Sequence, residues 1–462
     1  MSNSAEINRT EKKTENNPLA EVYNAATLIR FAFPSMVMMV FMGFYTIADT
    51  VFVARFVNTD ALSSINIVCP VINLIVGLGT MLAAGGSAVV AAKMGGGKVR
   101  EACRDFTLIV LAGAAFGGAV MAAGLFALDD IVRGLGASRA LIPYCRDYLR
   151  IQLIFAAGNM LQVLYQNLLV TAGRPDLGLM LSVLAGISNI VFDFIFIVLM
   201  QMGIKGAALG TGIGYLIPAV FGTLFFLSGK STLHFCRPRF GGTVLFKSCL
   251  NGASEMVSQM SAAVTTFLFN SAMLSLLGED GVAAITVMIY SQFFLTTLYI
   301  GFSMGTAPVI SYHCGSRSGG RLRKIIVVCF CVIFTISFAV FLIAFFAGNN
   351  IAGMFAGDNK SVFLLAEKGF SIFSFSFLFS GANIFTSAMF TAMSDGKSSA
   401  AISFLRTFGF VTVFIFILPR FLQVTGVWLS IPAAEACTFI VTLCLICRCR
   451  KNGGFDKNAT AS

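Results

Sequence analysis

The chain has 462 residues, 57% of them hydrophobic and only 11% charged, with 32 Lys and Arg against 21 Asp and Glu for a net charge of +11. So few charged side chains cannot coat a water-facing surface, which excludes a soluble globular protein. The positive balance does not point to nucleic acid, because the basic residues gather in short breaks between apolar stretches and no soluble domain carries an aromatic-interleaved basic patch.

In chain order, the first 25 residues are polar, with Glu6, Arg9, Glu11, Lys12, Lys13 and Glu15. The first apolar segment already has full spanning length, so no cleavable signal peptide is expected. Bilayer-crossing helices are predicted near 31–54, 61–92, 105–127, 147–172, 177–200 and 206–228, and after a basic linker near 248–277, 282–312, 325–347, 364–393, 399–419 and 426–447. The expected layout is a tail over 1–29, a six-helix lobe over 30–228, a linker over 229–247, a second lobe over 248–448 and a tail over 449–462. With the N-terminus in the cytoplasm, 22 Lys and Arg fall on cytoplasmic segments and 9 on external ones, with Arg406 at a cytoplasmic span end. The positive-inside rule then puts both termini in the cytoplasm.

The halves match at a constant offset of 220 residues: Asp60, Ile65, Gly85, Val89 and Gly95 pair with Asp280, Ile285, Gly305, Val309 and Gly315. Thr171 and Ala172 pair with Thr391 and Ala392 at the same offset. Six spans per half is an even number, so both halves start on the same side. The fold class is therefore an all-α polytopic membrane protein, twelve transmembrane helices in two lobes related by a pseudo-two-fold along the membrane normal. Gly206, Gly210 and Gly214 recur every four residues and are expected to serve helix packing.

Four carboxylates lie inside predicted spans, Asp49, Asp193, Glu255 and Glu435, with no Lys or Arg expected beside them at depth. A buried carboxylate costs several kcal/mol unless protonated, paired or hydrated, so such a group carries a proton or meets a cation. Asp49 lies roughly 28 Å of helix beyond Arg30, and Asp193 roughly 26 Å beyond Asp176, at 1.5 Å per residue. The two acids thus share a level. Asn189 is four residues before Asp193 on the same helical face, giving a cluster of Asp49, Asn189 and Asp193. Pro34 removes a backbone hydrogen bond and gives the first helix a place to bend. Glu435, in mid-membrane, is a candidate for binding cationic substrate. Glu255, nearer the cytoplasmic face, either does the same, is hydrated there or complements the helix N-terminus. Gln162, Gln166, Gln259, Asn270, Gln292 and Asn383 line the cleft between lobes or bond neighbouring helices. The phenylalanines Phe370, Phe373, Phe375, Phe377 and Phe379 pack against lipid or helices, or in part wall the cleft.

Other chemistries lack their residues. Gly210, Gly212 and Gly214 lie inside a span, and Ser228-Gly229-Lys230-Ser231 follows a membrane helix with Leu224 where a phosphate loop needs its first Gly. No ATP-hydrolysing domain is present. Cys444, Cys447 and Cys449 resemble a metal motif but have no second pair and no His nearby. His234 and His313, both placed in loops, have no acid at catalytic spacing, which leaves a membrane enzyme without a centre.

These residues, in order, resemble the multidrug and toxic compound extrusion (MATE) family of antiporters, particularly its bacterial MepA-type members. The likeness rests on Phe33-Pro34, Tyr45-x-x-x-Asp49-x-x-Phe52, Ile142-Pro143-Tyr144 with Asp147-Tyr148-Leu149-Arg150, and Asn189-x-x-x-Asp193. It continues in Met202-Gly203-Ile204-Lys205-Gly206-Ala207-Ala208-Leu209 and Gly426-Val427-Trp428-Leu429. The resemblance implies that Asp49, Asn189 and Asp193 bind the coupling cation, H+ or Na+, with Tyr148 and Thr211 as neighbours and Pro34 linked to bending of the first helix. It further implies export of hydrophobic, often cationic drugs by rocking of the two lobes, with no cofactor, by a monomer in the cell inner (plasma) membrane. Other branches place a sodium-linked acid deeper in the seventh span than Glu255, which favours the N-lobe site. The rival readings are a flippase for lipid-linked precursors, which should line its cleft with cationic residues, and a channel, which predicts currents rather than exchange.

Overall fold

The computed structural model describes residues 18–453 apart from 22, 230, 240 and 357–359. Glu6 to Glu15 of the polar N-terminal tail, Lys230 of the phosphate-loop look-alike and the last residues of the C-terminal tail therefore lie outside the described residues. Every regular element among those described is helical. The N-terminal half comprises α1 (Ala25–Phe56), α2 (Thr59–Gly95), α3 (Val99–Phe126), a short α4 (Leu128–Gly134), α5 (Ile142–Ile154), α6 (Ala156–Thr171), α7 (Pro175–Asp193) and α8 (Ile204–Leu227). The C-terminal half comprises α9 (Gly242–Leu277), α10 (Glu279–Gly315), α11 (Gly319–Ala356), α12 (Lys360–Phe373), α13 (Phe377–Ala392), α14 (Gly396–Phe404) and α15 (Phe410–Lys451).

Ten of these stretches are long and apolar enough to cross a bilayer, and the α5–α6 pair, bent by 53° at Phe155, adds an eleventh. The last stretch, Gly396–Lys451, has 56 residues, or roughly 84 Å of helix, far more than one crossing needs. It breaks at Gln423 (φ 50°, ψ −127°), and the backbone at Gly426 folds back onto Leu418 and Pro419 so closely that no Cβ would fit. Two crossings result, making twelve. The fourth span, expected as one run, is divided because Phe155 leaves the helix to lay its ring over Gly212 of α8. In the tenth, a 3-10 turn at Ser374–Ser376 joins α12 to α13, with Ser374 Oγ donating back to the Ser371 carbonyl at 3.3 Å.

The outer surface is inverted relative to a soluble protein: Phe126 is 95% exposed, Phe421 80% and Phe346 75%. Side chains of that kind belong against lipid. On the side away from the termini, the Arg146 guanidinium bonds Asp129 and holds its carboxyl below the usual carboxylate range.

The halves meet along α1 with α10 and α2 with α9, and the seam carries the two-fold. Gly95 packs on Tyr312 while Gly315 packs on Ala92, and Gly85 packs on Gly252 while Gly305 packs on Ala32. Under the 220-residue offset each contact is the mate of the other. At Gly85, Gly95, Gly252, Gly305 and Gly315 the facing backbone occupies the place of a Cβ. All five lie in the half of the bundle nearer the termini, so the lobes are sealed there. Gly252→Val is expected to destabilise the protein by about 1–3 kcal/mol through overpacking, read as a lowered melting temperature. An unchanged melt would show that the seam gives way freely.

Several sequence placements change. His313 is in the last turn of α10 and buried, because that helix runs on to Gly315. Phe370, Phe373 and Phe377 are 2%, 2% and 1% exposed and form lobe core, whereas Phe375 is half exposed against Phe341 and Phe345. Arg406 is not at a span end. It lies ten residues beyond Gly396, roughly 15 Å into the helix, within a π-helical turn over Leu405–Gly409.

Candidate functional site: a carboxylate pair in the first lobe

Asp193 is the last residue of α7 before a π-helical segment, Phe194–Leu199, and its side chain is fully buried. Insertions of this kind re-aim side chains and recur at functional positions. What admits the carboxylate is the glycine row of α8. A Cβ at Gly210 would overlap Asp193 Oδ1, one at Gly206 would meet Phe196 at 2.9 Å, and one at Gly214 would meet the Ala185 carbonyl at 3.3 Å. The row expected only to pack helices is thus the wall of the site.

Asp49 comes from α1, whose Tyr45 ring, one turn earlier, lies over Gly186 of α7. The carboxyl groups of Asp49 and Asp193 lie close to one another. Two carboxylates so close are mutually unfavourable when both are charged, so the arrangement suits a shared proton or a cation. Around it, the Asn189 amide donates to Thr211 Oγ1 at 3.3 Å, and Thr211 Oγ1 donates to the Ala207 carbonyl at 3.0 Å. Gln162 lies near Tyr45, and Asn159 near Tyr215. Tyr148 of α5 is buried and close enough to interact electrostatically with both acids. Tyr45, Gln162, Asn189, Thr211 and Tyr215 line one cavity of about 10 Å³, room for a single small ion or water.

The cluster's hydrogen bonding is one-sided. Asp49 Oδ1, both carboxylate oxygens of Asp193, Asn189 Oδ1, Gln162 Oε1 and Asn159 Oδ1 are buried without a partner. All are acceptors. An unsatisfied buried polar group costs about 1–3 kcal/mol, and hard oxygen donors of this kind suit a proton or Na+ and not a soft metal.

The structure therefore brings together Asp49, Asn189, Asp193, Thr211, Tyr148 and Gln162. Tyr45, Tyr215 and Asn159 join them, each one helical turn from a predicted site residue: Tyr45 from Asp49, Tyr215 from Thr211, Asn159 from Gln162. Pro34 lies within α1, which continues across it as one helix, and its missing N–H leaves the Arg30 carbonyl without its in-helix donor.

Glu255, Gln292, Asn383 and Glu435 belong to the second lobe, apart from this cluster. Glu435 is buried with partners of its own. Arg406 donates to its Oε1 at 3.3 Å, and the Asn383 amide to its Oε2 at 2.7 Å and to its backbone carbonyl at 2.9 Å. Thr442 in turn donates to Asn383 Oδ1 at 3.0 Å. Arg406 also interacts electrostatically with Glu255. A deep cation does accompany the second-lobe acids, contrary to the sequence reading, because the π-turn carries Arg406 to their level. Gln292 is half-buried on α10, and its backbone carbonyl accepts from Thr296 Oγ1 at 2.8 Å.

Comparison with known proteins agrees with this architecture. The MatE family profile matches twice, over residues 34–195 and 256–417, once in each lobe. The multidrug export protein MepA of Staphylococcus saprophyticus is 21% identical over 434 residues, 93% of this chain and 95% of that protein. The crystal structure of a MATE protein in its straight conformation superposes with a TM-score of 0.89 at 21% identity, covering 96% of this chain and 99% of the other. A MOP-superfamily transporter from Pyrococcus furiosus, described as having a binding pocket of reversed polarity, gives 0.88 at 21% identity, again over 96% and 99%. With its profile repeated across both lobes, the chain belongs to the MatE family, and it resembles the family's MepA-type members.

Proposed function

We propose that this protein exports hydrophobic, often cationic organic molecules in exchange for an inward-moving cation, H+ in preference to Na+, bound at Asp49 and Asp193. The observation that carries this reading is the set of buried, partnerless acceptor oxygens around two adjoining carboxyl groups. Such a site is stable when a proton or cation neutralises it, and its charge state differs between loaded and empty forms. Export is the activity named for the MepA relative. Alternating access is the mode of exchange we infer from the two-lobe design: the glycine seam packs the termini side, taken as the cytoplasmic one from the count of basic residues, and rocking about it would open each side in turn. The coupling ion enters Asp49 and Asp193 from outside and is released inside as the lobes reverse.

The flippase reading calls for cationic residues free to meet phosphate. Among the described residues Arg406 lies deep in the second lobe, and its guanidinium is taken up by Glu435 with Glu255 near it. That favours cationic cargo over anionic.

The test is efflux of a fluorescent organic cation from proteoliposomes under proton and sodium gradients imposed separately. Exchange driven by the proton gradient alone is the expected result. Exchange driven by sodium alone would reassign the ion, and no gradient-driven movement would sink the antiport reading.

A further inference from the structure

A second polar cluster lies outside this machinery, where the inter-lobe linker passes α3 on the termini side. Cys103, one turn into α3, is buried, and His234 and Cys236 are partly exposed on the linker. Their ligand atoms all lie within 4.8 Å of one another, and Cys103 Sγ is 3.7 Å from His234 Nδ1. In a tetrahedral zinc site with Zn–S near 2.3 Å and Zn–N near 2.1 Å, the S–N edge is about 3.6 Å and the S–S edge about 3.8 Å. The cluster needs only small side-chain movements to reach that geometry.

The linker is also held in place there. Leu233 is fully buried, the Phe235 ring packs on Phe106 at 5.2 Å between centroids, and the Cys236 N–H donates to Thr107 Oγ1 at 3.0 Å. Thr107 is one turn from Cys103 on the same helix face. His234 and Cys236, two residues apart on the linker, both bring their ligand atoms to Cys103.

We propose that Cys103, His234 and Cys236 form a binding site for a thiophilic divalent metal, Zn2+ in the first instance, which pins the linker to the first lobe. Two thiolates and one imidazole select borderline and soft ions over Na+, Mg2+ or Ca2+, and two thiolates neutralise Zn2+. The fourth position goes to water or to a ligand from outside the chain. With residues up to Cys236 tied to α3, the untied part of the connection between lobes shortens to the segment before α9. The ligands share no residue with the Asp49 cluster, so this site stands whether or not the transport reading does.

The experiment uses the full-length protein in detergent, stripped with a chelator and kept reduced with a phosphine. Loading with Zn2+ is read by metal analysis, and loading with Co2+ by thiolate-to-cobalt charge-transfer absorption. About one metal per chain is expected, lost in Cys103→Ser and Cys236→Ser and retained in a Cys444→Ser/Cys447→Ser control. Because Cys103 is buried, His234→Gln, a change on a partly exposed linker side chain, is scored alongside as monodisperse protein and is expected to lose the cobalt band. Absence of a thiolate–cobalt band in the wild type, or a band that survives these three substitutions, would overturn the assignment.

Discussion

Asp193→Asn is expected to reduce gradient-driven efflux in proteoliposomes to the level of empty liposomes while the protein remains monodisperse. Asparagine keeps the shape of the side chain, so the fit against Gly210 survives. What it removes is the exchangeable charge. Both Asp193 oxygens are buried and partnerless beside Asp49, and an amide there can neither release a proton nor neutralise a cation. Asp49→Asn should have the same effect. The double variant should be no worse than either single one, because the two carboxyl groups act as one unit and their losses do not add. Substantial proton-driven efflux by either single variant would remove the pair from the coupling step. Substrate binding measured without a gradient separates this loss from misfolding, and both variants should retain it.

Arg406→Met is expected to be among the most destabilising single substitutions in the second lobe. The Arg406–Glu435 pair is well buried, at 17% and 4% side-chain exposure. Removing one partner of such a pair costs about 3–5 kcal/mol, because the other charge is left uncompensated. The measurement is thermal unfolding in detergent, where a clear fall in melting temperature is expected. Arg406→Met combined with Glu435→Gln should recover most of the loss, since no buried charge then remains and Asn383 can still bond the amide. An Arg406→Met protein as stable as wild type would show that Glu435 is neutral without its partner and free to meet cationic cargo. In that case Glu435→Gln should weaken cationic more than neutral substrates.

The sequence by itself determined the helical two-lobe architecture and pointed to the two acids that the first lobe brings together. Bilayer length forces apolar runs of about 20 residues, so the spans, the linker and the repeat were countable, and the matched glycines of the 220-residue offset fall at mated contacts of the seam. Helical periodicity places Asn189 and Asp193 on one face, and the same rule, one turn further along each helix, reaches Tyr45, Tyr215 and Asn159. Tertiary structure alone decided the rest. Gly210 looks like any packing glycine until Asp193 occupies the place of its missing Cβ, and Arg406 looks peripheral until a π-turn sets it against Glu435, 29 residues away. The break at Phe155 depends on Gly212 of another helix, and Cys103 meets His234 across 131 residues of chain. Periodicity reports which face of its own helix a residue occupies. Which neighbour that face meets, and hence whether a buried charge finds a partner or waits for an ion, is settled only when the helices pack.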